Sequence, residues 1–108
     1  MIIDHRTYNI VPRKTKEYLK LFEEIGLPVQ KKHLGNLLGY YVTEIGPQDQ
    51  LVHLWGYRSL ADMEARRAQR NADPAWADFL VKSEGLVRSQ ETKIIRPVSF
   101  SPDAGQLS

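Results

Sequence analysis

Residues 51–57 alternate between two sets of side chains. Leu51, His53, Trp55 and Tyr57 fall on one parity, Val52 and Leu54 on the other, and both sets are bulky. Successive side chains of a β-strand point to opposite faces, so this strand has two different faces and neither is simply solvated. It belongs in a sheet with something packed on each side. That requirement restricts what a single domain of 108 residues can be.

The rest of the chain supplies the sheet and part of its cover. Ile2 to Ile10 is rich in β-branched and aromatic residues and has no Gly or Pro, which predicts a strand. The period then changes: Tyr18, Leu21, Phe22 and Ile25 fall at helical spacing, predicting a helix from about Lys14 to Ile25 that stops at Gly26. Pro28 suits the start of a further short turn through His33, ending at Gly35. Leu37 to Ile45 and Leu51 to Arg58 read as a hairpin around Gly46-Pro47-Gln48-Asp49. Ser59 is a good N-cap for a second helix with Asp62 in its first turn. Ala61, Ala65, Ala68 and Ala72 form a small-residue stripe on that helix that would let it lie close to the sheet. Asp73-Pro74 opens a short helix on which Trp76, Phe79 and Leu80 share a face read as core, and Gly85 ends it. Thr92 to Phe100 is the last expected strand, with Pro97 confining it to an edge or an end. The domain is expected over residues 1–100, followed by a polar tail at 101–108.

The order β-α-β-β-α-(α)-β, joined by right-handed crossovers, is the α+β ferredoxin-like arrangement: an antiparallel sheet under helices on one side. The other face then needs a cover, and for so small a chain a second copy related by two-fold symmetry is the simplest one. A homodimer is therefore expected. Val52 and Leu54 suit the helix side, which would turn His53, Trp55 and Tyr57 toward the second face, joined there by Asp4, Arg6 and Tyr8 of the first strand. These six residues are the candidate cavity and ligand-binding set, since rings and a few fixed polar groups are what a small-molecule pocket needs.

Composition narrows the chemistry. There is no cysteine, which excludes disulfides, thiolate metal sites and thiol catalysis. The net charge of +2 does not make nucleic acid a default partner. No apolar run approaches the roughly 20 residues of a membrane span, and the opening residues lack the apolar segment of a signal peptide, so a cytoplasmic protein is expected. His5, His33 and His53 form no HxH or HxxxH pair, and no metal site is expected. Arg58, Arg66, Arg67 and Arg70 make a basic helix edge. Glu64, Asp62 and Asp73 stand near it, so a solvated, salt-bridged face is the plainer reading and an RNA or acidic-protein surface the sharper one.

At the level of ordered segments the chain resembles the NIPSNAP family. Asp4-His5-Arg6-Thr7-Tyr8 is similar to the family's opening Glu-x-Arg-Thr-Tyr strand, departing at Asp4. Gly39-Tyr40-Tyr41 and Val52-His53-Leu54-Trp55-Gly56-Tyr57 are similar to its hairpin, and Arg66-Arg67, Asp73-Pro74-x-Trp76 and Arg96-Pro97-x-x-Phe100-Ser101-Pro102 follow in order. The resemblance implies a dimeric α+β barrel, two ferredoxin-like sheets facing each other across a dimer, in a superfamily that includes haem-degrading and cofactor-free monooxygenases. NIPSNAP proteins have no settled activity, and their eukaryotic members carry an N-terminal targeting extension that this sequence does not show.

Two functions are expected from this. In the first, a homodimer binds a small aromatic or anionic molecule in the sheet-face cavity, with cofactor-independent oxygenase or acid–base chemistry. It needs no cofactor, haem on His53 being the alternative. In the second, the barrel is a non-enzymatic scaffold, met by a protein partner on the arginine helix or the tail.

Overall fold

The computed structural model describes residues 1–104, so the last four residues of the expected tail, 105–108, lie outside the described residues. Strand β1 (Ile2–Ile10) leads into a helical stretch of three parts: α1 (Thr15–Leu21), one π-helical turn (Phe22–Gly26) and α2 (Leu27–His33). The hairpin β2 (Asn36–Val42) and β3 (Gln50–Tyr57), helices α3 (Leu60–Asn71) and α4 (Pro74–Lys82), and β4 (Val87–Ile95) follow. The strands form one antiparallel sheet in the order β2-β3-β1-β4. This is the ferredoxin-like order, with both helical layers on one face, and the shortest dimension, 19 Å, is two layers deep.

The first helix does not stop at Gly26. Gly26 stays helical, and the chain runs on into α2 with Pro28 near its start. The π turn before Pro28 gives room for a ring that would otherwise collide with the carbonyl one turn back. Glycine is needed at this point for space. A Cβ on Gly26 would sit 2.8 Å from Phe22 Cδ1 and 3.1 Å from the ring of Phe79 on α4. Gly26→Ala gains about 1 kcal/mol of helix propensity but must displace two core rings, a cost of about 1–3 kcal/mol. We expect a net loss of stability, larger for Gly26→Val, measured as a lower urea midpoint at unchanged slope.

Helix α3 begins as expected: the Ser59 hydroxyl accepts from the Asp62 N–H at 3.1 Å, and the Asp62 carboxylate accepts from the Arg58 N–H at 3.1 Å. Asp73 caps α4 through the Ala75 N–H at 2.9 Å. The same carboxylate meets His33 Nε2 at 2.8 Å, tying α2 to α4. β4 lies earlier than expected, at Val87–Ile95 instead of Thr92–Phe100. It is an edge strand whose residues from Arg88 onward are exposed on both faces, so no alternation marked it, and it ends before Arg96-Pro97.

The core lies between sheet and helices: Tyr18 and Phe22 of the first helical stretch, Leu51, Trp55 and Tyr57 of β3, Met63 of α3 and Phe79 of α4. The far face of the sheet carries Ile3, Val52, Leu54, Tyr41 and Ile95, and among the described residues no helix lies over it.

Candidate functional site

Register decides where the six candidate residues go. Asp4 pairs with Trp55, Arg6 with His53 and Tyr8 with Leu51, so all of them, with Tyr57, share one face. That face is the helix side. The expectation that His53, Trp55 and Tyr57 turn away from the helices, leaving them Val52 and Leu54, is overturned. Trp55 and His53 are 2% exposed, Tyr57 is fully buried and Asp4 is 2% exposed, while Val52 and Leu54 are half-buried on the far face. Two features select this parity. The rings bury far more apolar area than Val and Leu, and the one acidic side chain on it, Asp4, meets its partner from α3.

That partner is an arginine. The Asp4 carboxylate accepts from Arg6 Nε at 3.2 Å on each oxygen and from the Arg67 guanidinium. Met63, Arg66, Arg67 and Arg70 fall at helical spacing and form the inward face of α3, whereas Ala61, Ala65, Ala68 and Ala72 are exposed. The alanine expectation for this helix therefore reverses, and the arginine one holds in part: Arg66 and Arg67 are salt-bridged, but they are not a solvated face. The alanine stripe faces out, and the arginine edge from Arg66 to Arg70 packs half-buried against the sheet and α2. Arg66 holds Asp62 at 2.9 Å and reaches the carbonyls of His33 and Leu34. Arg70 donates to Gln30 Oε1 at 2.9 Å and stacks 4.5 Å above the Trp76 ring. Among the described residues Arg70 has no acidic partner within ion-pair distance. Burial, then the charges of Arg6 and Arg67, push its pKa down. Burial acts against Arg6 as well, but the Asp4 carboxylate and Tyr8 outweigh it and hold that pKa above the ordinary value.

His53 is a second buried polar group on this face of the sheet. Its Nδ1 lies 2.8 Å from Trp55 Nε1. An indole N–H can only donate, so Nδ1 accepts and the proton of the neutral ring sits on Nε2. Burial, then the charge of Arg6, lowers the pKa of His53 to about 4, so the ring is neutral at pH 7. Tyr40 stacks on it at 4.5 Å and Tyr8 meets it edge-on at 4.7 Å. Nε2 is buried and has no hydrogen-bond partner.

Two spaces adjoin that ring. One, about 200 Å³, lies under α4 and is walled mainly by Tyr8, Tyr18, Phe22, Trp76 and Phe79, with Ser83, Glu84 and Gln90 also lining it. The other, about 10 Å³, is an atom-sized cell bounded by Asp4, Arg6, Arg70 and Trp55. Tyr8, Gln30 and His53 line both. The structure thus brings five of the six candidates to one place, Asp4, Arg6, Tyr8, His53 and Trp55; Tyr57 lines neither space. Sequence reasoning missed Gln30, Arg70, Trp76 and Ser83. For Arg70 a signal was present: three arginines at inward helical spacing imply an acidic or open partner in the sheet.

The chemistry on offer is hydrogen-bond donation. Burial pushes the Tyr18 and Tyr40 phenols up, His53 presents an N–H, and Asp4 is occupied by two guanidinium groups. Such an array holds an anion or polarises a carbonyl; none of these groups is a free base at neutral pH, and the carboxylate that lines the cavity is the exposed Glu84. Among the described residues no three His, Asp or Glu side chains converge on a metal site. A space of about 200 Å³ in front of His53 takes a single ring system, not a tetrapyrrole, so the residues do not fit haem.

A family model for NIPSNAP matches residues 3–102. The chain belongs to the NIPSNAP family. A crystal structure of a NIPSNAP family protein of unknown function from Agrobacterium tumefaciens is 44% identical, with 94% of this chain and 92% of that one covered and a TM-score of 0.91. The NipSnap homolog of Dictyostelium discoideum is 32% identical over 95 residues, which is 88% of this chain but 42% of that protein, so the chain spans under half of this relative's length. A putative antibiotic biosynthesis monooxygenase from Nitrosomonas europaea shares the fold at 9% identity, with a TM-score of 0.67 over 91% of this chain and 99% of that one. NIPSNAP membership and the ferredoxin-like α+β fold thus agree with the reading of the sequence. No helix among the described residues is long and apolar enough to cross a membrane.

Proposed function

We propose that this NIPSNAP protein is a homodimer whose protomers each bind a small aromatic or anionic molecule in the cavity between sheet and helices. The observation that carries the reading is the unpartnered Nε2–H of His53, buried at a cavity walled by aromatic rings. A buried polar group without a partner costs about 1–3 kcal/mol, a cost that a ligand acceptor removes. The dimer is supported by the far sheet face, where Val52, Leu54, Tyr41 and Ile95 await a cover. Any chemistry at this site is stabilisation of a developing negative charge by His53 and its neighbours. Without a base among these buried groups, an oxygenase cycle here would start from a substrate that arrives already ionised.

The test fills the cavity. Ser83 is buried and lines it, and Ser83→Leu would occupy part of it. Fragments of about ten heavy atoms are expected to raise the Tm of the wild type and to lose that effect in Ser83→Leu, while light scattering at tens of micromolar reads two chains for both. Fragments that stabilise both proteins alike, or none that stabilises the wild type, would sink the pocket. A monomeric wild type would sink the dimer.

A further inference from the structure

Charge balance sharpens the class of ligand. Three guanidinium groups, those of Arg6, Arg67 and Arg70, surround a single carboxylate, Asp4. Asp4 is shared between Arg6 and Arg67, so Arg70 is the unmatched charge. It is half-buried, donates to Gln30 and to Asn71, lies over the Trp76 face, all of them neutral groups, and borders the atom-sized cell. Half-buried charges are ordinarily matched, and guanidinium groups are matched best by carboxylates.

The second element is the placement of His53. It lines both the cell and the aromatic cavity, and its one free hydrogen-bonding atom is a donor. One end of a ligand here therefore meets the donors of Arg6, Arg70 and His53, beside an Asp4 carboxylate whose oxygens already accept from Arg6 and Arg67. The rest of the ligand meets the rings of Tyr8, Trp76 and Phe79.

Resting on the proposed binding site, we infer that its ligand is a small planar aromatic acid. One anionic oxygen enters the cell between Arg6, Arg70 and His53 Nε2–H, and the ring lies in the cavity under α4. The cell admits one oxygen-sized atom, and the cavity admits a single ring with a small substituent. Arg70 is the residue that selects the charge, and the aromatic walls select the body.

The chain has two tryptophans, and both border the site, Trp55 at the cell and Trp76 at the cavity, so intrinsic emission reports occupancy. The probes are benzoate, its neutral counterpart benzamide, and cyclohexanecarboxylate, added to the full chain and followed by emission and calorimetry. Benzoate is expected to bind at least about tenfold tighter than either of the others. Arg70→Gln should bring benzoate down to the level of benzamide and leave benzamide binding unchanged, which also shows that the variant folds. Arg70→Lys, which keeps the charge, should keep the preference for benzoate even if Arg70→Gln fails to fold. Equal binding of benzoate and benzamide by the wild type overturns the anionic class while the cavity stands. So does a folded lysine variant that binds both alike. If none of the three probes alters emission or Tm at millimolar concentration, both this inference and the binding site fall together.

Discussion

Asp4→Asn is expected to cost the protein about 3 kcal/mol, the lower end of the range for breaking a buried ion pair. The substitution keeps the shape of the side chain and removes only its charge. Among the described residues Asp4 is the sole acidic group facing Arg6, Arg67 and Arg70, and without it three positive charges share one half-buried space. The Arg6 and Arg67 side chains keep 17% and 25% of their surface in water, and that solvation places the effect at the low end. The second half of the prediction is a rescue. Asp4→Asn combined with Arg67→Met should recover a large part of the loss, because a pair replaced by apolar volume is often neutral whereas a broken pair is not. Urea denaturation of the two single variants and the double gives the coupling between the residues. A cost for Asp4→Asn within 1 kcal/mol of zero, the size expected of an exposed pair, would show that water carries these charges and that the network does not hold α3 to the sheet.

The order of elements was legible because each carries its own signal. The strand–helix change of period after Pro12, the Gly46-Pro47 pair of the hairpin turn, and the Ser59 and Asp73 caps are local, and the structure keeps every one of them. β4 was misplaced because an edge strand exposed on both faces has no alternation to read. Gly26 misled because a glycine that ends helices by its φ freedom here stays helical and serves the approach of Phe79.

The site was legible as a set and not as a place. Parity placed Asp4, Arg6 and Tyr8 with His53, Trp55 and Tyr57, and the register bears this out. Which face they share depends on the cover, and that is a tertiary matter. The apolar rule assigned Val52 and Leu54 to the helices because the rings travel with charged neighbours. What reverses it is α3, whose inward face presents arginines and not alanines. Reading the spacing of Arg66, Arg67 and Arg70 as an inward stripe, with Asp4 as its counter-charge, would have turned the sheet over and brought Arg70 into the site.

Lowering the pH should unfold the protein through His53. In the unfolded chain this histidine titrates near its ordinary value, and burial, then the charge of Arg6, lowers it to about 4 in the fold. Between those values the unfolded chain binds the proton and the folded one does not, so stability is complete above the unfolded pKa and is lost as pH falls toward the folded one. A shift of this size corresponds to a loss on the order of 3 kcal/mol. The cause is visible in the tautomer. Nε2 already carries a proton, so the added one must go to Nδ1, where it confronts the Trp55 N–H that Nδ1 now accepts. Around the ring, Arg6 and His5 oppose the new charge and only Asp4 favours it, while Asp4 itself is held by two arginines. Carboxylates elsewhere, Asp73 beside His33 among them, also lose stability in acid, so the quantity to follow is the difference in unfolding free energy between wild type and His53→Gln. Glutamine accepts no proton, and the difference should shift against the wild type between about pH 6.5 and 4 and be flat above. A difference that stays constant across that window would mean that His53 binds its proton as readily in the fold as in the unfolded chain, and that burial does not hold the ring neutral.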